Sequence, residues 1–121
     1  MLLLFLLSGC GAKGHVHVSD NELPGTYITQ FKLGKEQLIL HADNTYEQVF
    51  SSPQRQFSNR GKWKSKYVLF EGTDVELAGA NCSEDGGKSG DCIRNLNVHQ
   101  TGKNLSLALN EASDWYYEKV D

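Results

Sequence analysis

Period-two alternation of apolar and polar residues, punctuated by turn signals, constrains this chain more than any other feature. From Glu36 to Gly72 it runs EQLILHADNTYEQVFSSPQRQFSNRGKWKSKYVLFEG. Successive side chains of an extended strand point to opposite faces, so Leu38 and Leu40 share one face. On the next stretch Tyr46, Gln48 and Phe50 do the same. Between the two, Asp43-Asn44 reverses the chain, because both residues tolerate the left-handed backbone that tight hairpins need. Pro53 cannot donate to a ladder and marks the next break. The strand that follows carries Trp63 between Lys62 and Lys64, which point the other way, to solvent. Gly61 within it is expected to be a bulge or a close-packing point.

The same pattern extends both ways. After Leu23-Pro24-Gly25, Tyr27, Thr29 and Phe31 alternate with Ile28 and Gln30. Ser65-Lys66 reads as a connection to a further strand, Tyr67 to Glu71. Val75 and Leu77 supply a short strand, and Ile93, Leu96 and Val98 another. Leu105, Leu107 and Leu109 alternate strictly with Ser106 and Ala108, and Trp115-Tyr116-Tyr117 closes the series. Eight or nine short strands without a helical period imply an all-β fold, an antiparallel meander. Sequence neighbours tend to pair, which favours an up-and-down barrel of about eight strands whose closure removes exposed edges. A β-sandwich is the alternative.

The ends add a second layer. MLLLFLLSGC opens the chain with seven apolar residues, too few to cross a bilayer, which takes about 20. Followed by small residues, residues 1–9 read as a cleaved signal peptide. Residues 10–22 are polar and glycine-containing and read as a flexible tether. His15 and His17 would point the same way in an extended chain, but a metal centre needs more ligands than two. Residues 23–121 form one domain, of which roughly two thirds of the unfolded surface can be buried. A net charge of −3 argues against nucleic acid as a partner.

Leu7-Ser8-Gly9-Cys10 resembles the lipobox of bacterial lipoproteins. The resemblance implies cleavage before Cys10, a diacylglycerol on its sulfur, and partnership with a membrane through that lipid. Two or more acyl chains hold stably where one holds marginally. No Lys or Arg precedes the apolar run, where export signals normally carry positive charge. Gly11 in place of Asp implies, for a Gram-negative envelope, the periplasmic face of the outer membrane. With Cys10 acylated, Cys82 and Cys92 remain as a pair in an oxidising compartment, and a disulfide closing the loop SEDGGKSGD follows. Free thiols or metal ligation would need a cytosolic chain or further Cys and His partners.

The series Gly25-Thr26-Tyr27, Leu38-x-Leu40, Asp43-x-Thr45-Tyr46, Gly61-x-Trp63 and Val68-x-Phe70 resembles small bacterial lipoproteins with a lipocalin-like β-barrel. It covers most of residues 23 to 71. Asn44 stands where that group usually has glycine, and Tyr27 where true lipocalins have tryptophan.

No catalytic set stands out. There is no Gly-x-Ser-x-Gly elbow, and Asp74 and Glu76 share a strand face without an apolar surround. The loop Glu84-Asp85-Gly86-Gly87 with Asp91 lacks the ligand spacing of a helix-loop-helix calcium site. Gly87-Lys88-Ser89 lacks the preceding glycine of a phosphate loop. His41 and His99, near strand ends, are expected on the surface. Neither enzymatic activity, nor a cofactor, nor a bound metal is expected. Arg55, Arg60, Lys62, Lys64 and Lys66 make a basic stripe that is either the solvated outer face of a strand or a contact for anionic headgroups or an acidic protein. The aromatic residues Tyr27, Tyr46, Trp63 and Phe70 are the expected lining for a small apolar or amphipathic ligand inside the barrel. The rival expectation is an envelope protein-interaction or enzyme-inhibitor module that uses the outer surface and the disulfide loop.

Overall fold

The computed structural model describes residues 14–69, 72–80, 92–110 and 115–121. In chain order the strands are β1 (Gly14–His15), β2 (Gly25–Gln30), β3 (Lys35–Leu40), β4 (Thr45–Ser51), β5 (Gln56–Val68), β6 (Gly72–Ala80), β7 (Cys92–Thr101), β8 (Asn104–Asn110) and β9 (Trp115–Lys119). From β2 to β9 each strand pairs antiparallel with the next, and β9 returns to β2. The result is the expected lipocalin-like architecture, an eight-stranded up-and-down barrel rather than a sandwich. Closure gives every one of these strands a partner on each side, which an open sheet of the same strands could not. The end at which β2 begins is called lower, and the end at which it finishes upper.

Alternation places the core. Tyr27, Leu38, Leu40, Tyr46, Trp63, Val75, Leu77, Leu96, Val98 and Leu107 all point inward and are buried. Lys62 and Lys64 are exposed on either side of Trp63. The β3–β4 turn is built as its residues dictate. The Asn44 N–H donates to the His41 carbonyl at 3.1 Å, and Asn44 adopts a positive φ of 71°. Asp43 Oδ1 accepts from the Thr45 N–H at 3.0 Å and from its hydroxyl at 2.6 Å. Those two bonds hold the Asp43 carboxyl below its ordinary pKa.

In β5 one sequence-based expectation fails and another is decided between its two alternatives. Ser65-Lys66 is not a connection: β5 runs unbroken for 13 residues, because Ser65 keeps the inward phase set by Trp63. Gly61 is a close-packing point and not a bulge. The β4–β5 register passes through it regularly, and a Cβ there would lie 2.7 Å from the Tyr46 hydroxyl and 2.4 Å from the Ala78 carbonyl. A register irregularity lies instead in β6, between Leu77 and Ala80, where Gly79 has φ 69°, and a second lies in β8 between Ala108 and Asn110.

The stretch read as a flexible tether is built into the barrel over residues 14–22. β1 pairs with β7, Gly14 opposite Gln100 and His15 opposite His99. The Val16 carbonyl accepts from Thr73 N–H at 3.0 Å, and the buried Val18 donates its N–H to Thr73 Oγ1 at 3.0 Å. A 3-10 helix, Asp20–Glu22, then crosses the lower opening. Ser19 and Glu22 close it as a capping box, with the Ser19 N–H and hydroxyl donating to Glu22 Oε2 at 3.2 and 2.9 Å. Leu23 plugs the lower end, fully buried, and the Tyr27 hydroxyl donates to its carbonyl at 2.6 Å. That Ser-x-x-Glu spacing was a legible signal of ordered chain ahead of Leu23.

Candidate functional site

The barrel interior divides into two halves of different chemistry. The lower half is apolar and packed. The upper half holds a buried network built on Glu36 of β3, Gln48 of β4, Asn59 of β5, Arg94 of β7 and Tyr117 of β9. Each sits at an inward position in phase with apolar neighbours on its own strand: Glu36 with Leu38 and Leu40, Arg94 with Leu96 and Val98.

At its centre the Tyr117 hydroxyl donates to Glu36 Oε2 and accepts from Arg94 Nη1 at 2.7 Å. Gln48 Nε2 donates to the same Glu36 oxygen at 2.9 Å, and Arg94 Nη1 lies 3.8 Å from it. Asn59 extends the chain, donating to Gln48 Oε1 at 3.1 Å and to the Gly79 carbonyl at 2.7 Å. The Gly79 carbonyl is presented there at the β6 irregularity. Both charged side chains are almost wholly buried, with relative exposures of 8% for Arg94 and 4% for Glu36. Burial, with the neighbouring Glu36 charge next in weight, pushes the Tyr117 hydroxyl well above its ordinary pKa and keeps it a neutral donor. Among the described residues only Nη1 of Arg94 makes a hydrogen bond or ion pair, so the guanidinium keeps donors in reserve beneath the upper mouth.

Of the expected ligand lining, Tyr27, Tyr46 and Trp63 lie in the packed lower core, and each has its polar atom engaged by a backbone carbonyl. Tyr27 bonds to Leu23, Tyr46 donates to Ala78 at 2.7 Å, and Trp63 Nε1 donates to His41 at 2.9 Å. Phe70 lies outside the described residues, as do Cys10 and Cys82. Cys92 opens β7 opposite Ala80, at the mouth of the glycine-rich loop. The sequence reading missed Glu36 and Arg94. A charged residue falling in the apolar phase of a strand was the signal that could have found them.

The remaining candidates resolve locally. His41 Nε2 lies 2.9 Å from Glu47 Oε2. His99, expected on the surface, is buried, with its ring edge-on to Tyr116 at 5.3 Å, because β1 lies along β7 beside it. The His17 ring faces Tyr67 at 4.8 Å, and its Nδ1 is 3.2 Å from Thr73 Oγ1. Among the described residues no cluster of three His, Cys, Asp or Glu side chains is placed to hold a metal ion. The basic stripe is exposed along β5 and partly answered by acids on its neighbours: Glu47 is opposite Arg60, Asp74 opposite Lys66, and Glu76 lies 3.8 Å from Lys64. A groove of about 710 Å3 beside it is lined by His41, Asp43, Glu47, Arg60 and Lys62. Its mixed charge selects no single ligand class.

Comparison with protein-family models, with curated proteins and with solved structures finds no match for this chain.

Proposed function

We propose that this chain is an exported lipoprotein of the bacterial cell envelope, held on a membrane surface by acyl chains on Cys10, whose barrel takes a small amphipathic ligand at its upper end. The observation that carries the ligand reading is the buried charged pair Arg94–Glu36 inside the upper half of the barrel, with guanidinium donors left over. Burying two charges costs several kcal/mol per ion, and apolar residues of similar volume would fill the space more cheaply. A ligand with a polar, acidic head would meet those donors. Its apolar part would lie against Phe31 and Phe50, both buried at the same end. A resemblance to lipocalin-like lipoproteins agrees with this use of the fold.

A second reading rests on a specific observation too. With Tyr27, Tyr46 and Trp63 packed and their polar atoms engaged, the lower half has the character of a filled core. A filled barrel would work through its outer surface and the Cys82–Cys92 loop, as an interaction or inhibitor module for an envelope protein.

Native mass spectrometry of the mature protein, extracted from its host's envelope, separates the two. A discrete extra mass of small-molecule size, lost on denaturation and lost in Arg94→Ala, is the expected result. A bare protein mass, two hydrogens light for the Cys82–Cys92 bridge, would overturn the ligand reading in favour of a protein partner.

A further inference from the structure

We infer that the lower rim of the barrel rests on the bilayer, with Tyr67 and Leu69 of the β5–β6 hairpin seated at headgroup level. The inference rests on the lipid-anchor reading and adds an orientation to it. β1 runs antiparallel to β7, and Gly14 lies opposite Gln100, near the lower end of that strand. Followed backwards, the chain therefore leaves the barrel downwards. Only residues 11–13 separate Cys10 from Gly14, a reach of about 14 Å when fully extended. β7 itself has 10 residues and rises about 30 Å along its axis. An anchor on Cys10 reaches the lower rim easily and falls well short of the upper one.

The lower rim also has the chemistry for a bilayer surface. Tyr67 and Leu69 sit two residues apart on one hairpin and are 56% and 66% exposed. Residues 14–18 form a strap between that hairpin and β7. Val16 takes the place beside β7 that β6 would otherwise extend into, its N–H donating to the Val98 carbonyl and its carbonyl accepting from Thr73. Gly72, at φ 86°, packs directly on the Val16 backbone, where a Cβ would lie 2.6 Å from the carbonyl oxygen. Next to Tyr67, Lys66 is exposed and forms no ion pair among the described residues. A tyrosine and a leucine at the tip of the hairpin, with a lysine on the opposite face of the strand beside them, suit an interface that is apolar on one side and anionic on the other. Among the described residues the exposed large apolar side chains of the upper rim, Leu33 and Ile93, lie singly on opposite arcs of the ring. The upper mouth and its charged network consequently face away from the membrane.

The test uses the lipidated full-length mature protein in phosphatidylethanolamine–phosphatidylglycerol vesicles doped with dibrominated phosphatidylcholine. Leu69→Trp and Leu33→Trp, both at exposed positions, are compared with the parent. The expected result is quenching of the Leu69→Trp fluorescence several-fold beyond that of Leu33→Trp, with a blue shift only for the former. Equal quenching, or stronger quenching at position 33, overturns the orientation. Flotation of the parent and of Cys10→Ser with the same vesicles tells the two failures apart. If the parent floats and position 69 stays unquenched, the orientation alone falls. If the parent does not float, the anchor falls and the orientation with it.

Discussion

The Tyr117 hydroxyl stands between the two buried charges of the barrel, donating to Glu36 while accepting from Arg94 Nη1 at 2.7 Å. It joins strands β3, β7 and β9 through groups that no sequence-local preference brings together.

Because the pair is buried, removing one partner strands the other. Arg94→Ala is expected to cost about 3–5 kcal/mol, read from urea midpoints. In a Glu36→Gln background the same substitution should cost markedly less, since no carboxylate is left uncompensated. Simple additivity of the two would show that Arg94 and Glu36 are not coupled.

Trp63 separates a filled core from a ligand wall. Trp63→Ala should destabilise by about 3–5 kcal/mol through the cavity it leaves. Trp63→Phe, which keeps a ring but deprives the His41 carbonyl of its donor, should cost about 1–3 kcal/mol. With the ligand seated at the upper end, the fraction of Trp63→Ala that stays folded still carries it. Loss of ligand from that folded fraction would return Trp63 to the lining.

Gly61→Ala inserts a methyl between the Tyr46 hydroxyl and the Ala78 carbonyl, at 2.7 and 2.4 Å. Overpacking of about 1–3 kcal/mol is expected, seen as a fall in melting temperature with circular dichroism otherwise unchanged. A parent-like melting temperature would mean that β4 and β6 are not in close contact there.

Alkali should unfold the barrel through its buried phenols. Burial pushes Tyr46 from 10.0 up to about 12, with the Asn59 hydrogen bond working the other way. Tyr27 and Tyr117 are also raised, both chiefly by burial. A phenol whose folded pKa is raised contributes stability that is complete below its unfolded value and is lost as pH climbs towards the folded one. Stability should therefore hold up to pH 10.0 and decline between 10.0 and about 12. Phenolate absorbance should rise together with loss of the folded signal. Ionisation of all five tyrosines near pH 10.0 with the fold intact would contradict the burial of Tyr27, Tyr46 and Tyr117.

Much of the barrel was legible in the alternation. Leu38 with Leu40, Tyr46 with Phe50, and Val75 with Leu77 lie inside as their phase requires, and Asp43-Asn44 turns where expected. The expected break at Ser65-Lys66 failed because two polar residues do not stop a strand whose inward phase continues. The tether failed over residues 14–22 because the segment is held by backbone hydrogen bonds, as Val16 is between Thr73 and Val98, and its apolar pattern is only the pair Val16 and Val18, too short to read as a strand. The upper network was hidden because Glu36 and Arg94 each read, alone, as ordinary charges at the start of a strand.

What the amino-acid sequence determined by itself was most of the strand content, the facing of most side chains and most of the places where the chain reverses. These follow from backbone sterics and a two-residue period acting over a few neighbours. Tertiary structure alone decided that β9 closes on β2, that the strap occupies the gap below β6, and that Glu36 meets Arg94 across the barrel. Those relations depend on register and closure between residues far apart in the chain. Periodicity says which face a residue takes and nothing about which distant residue it will face.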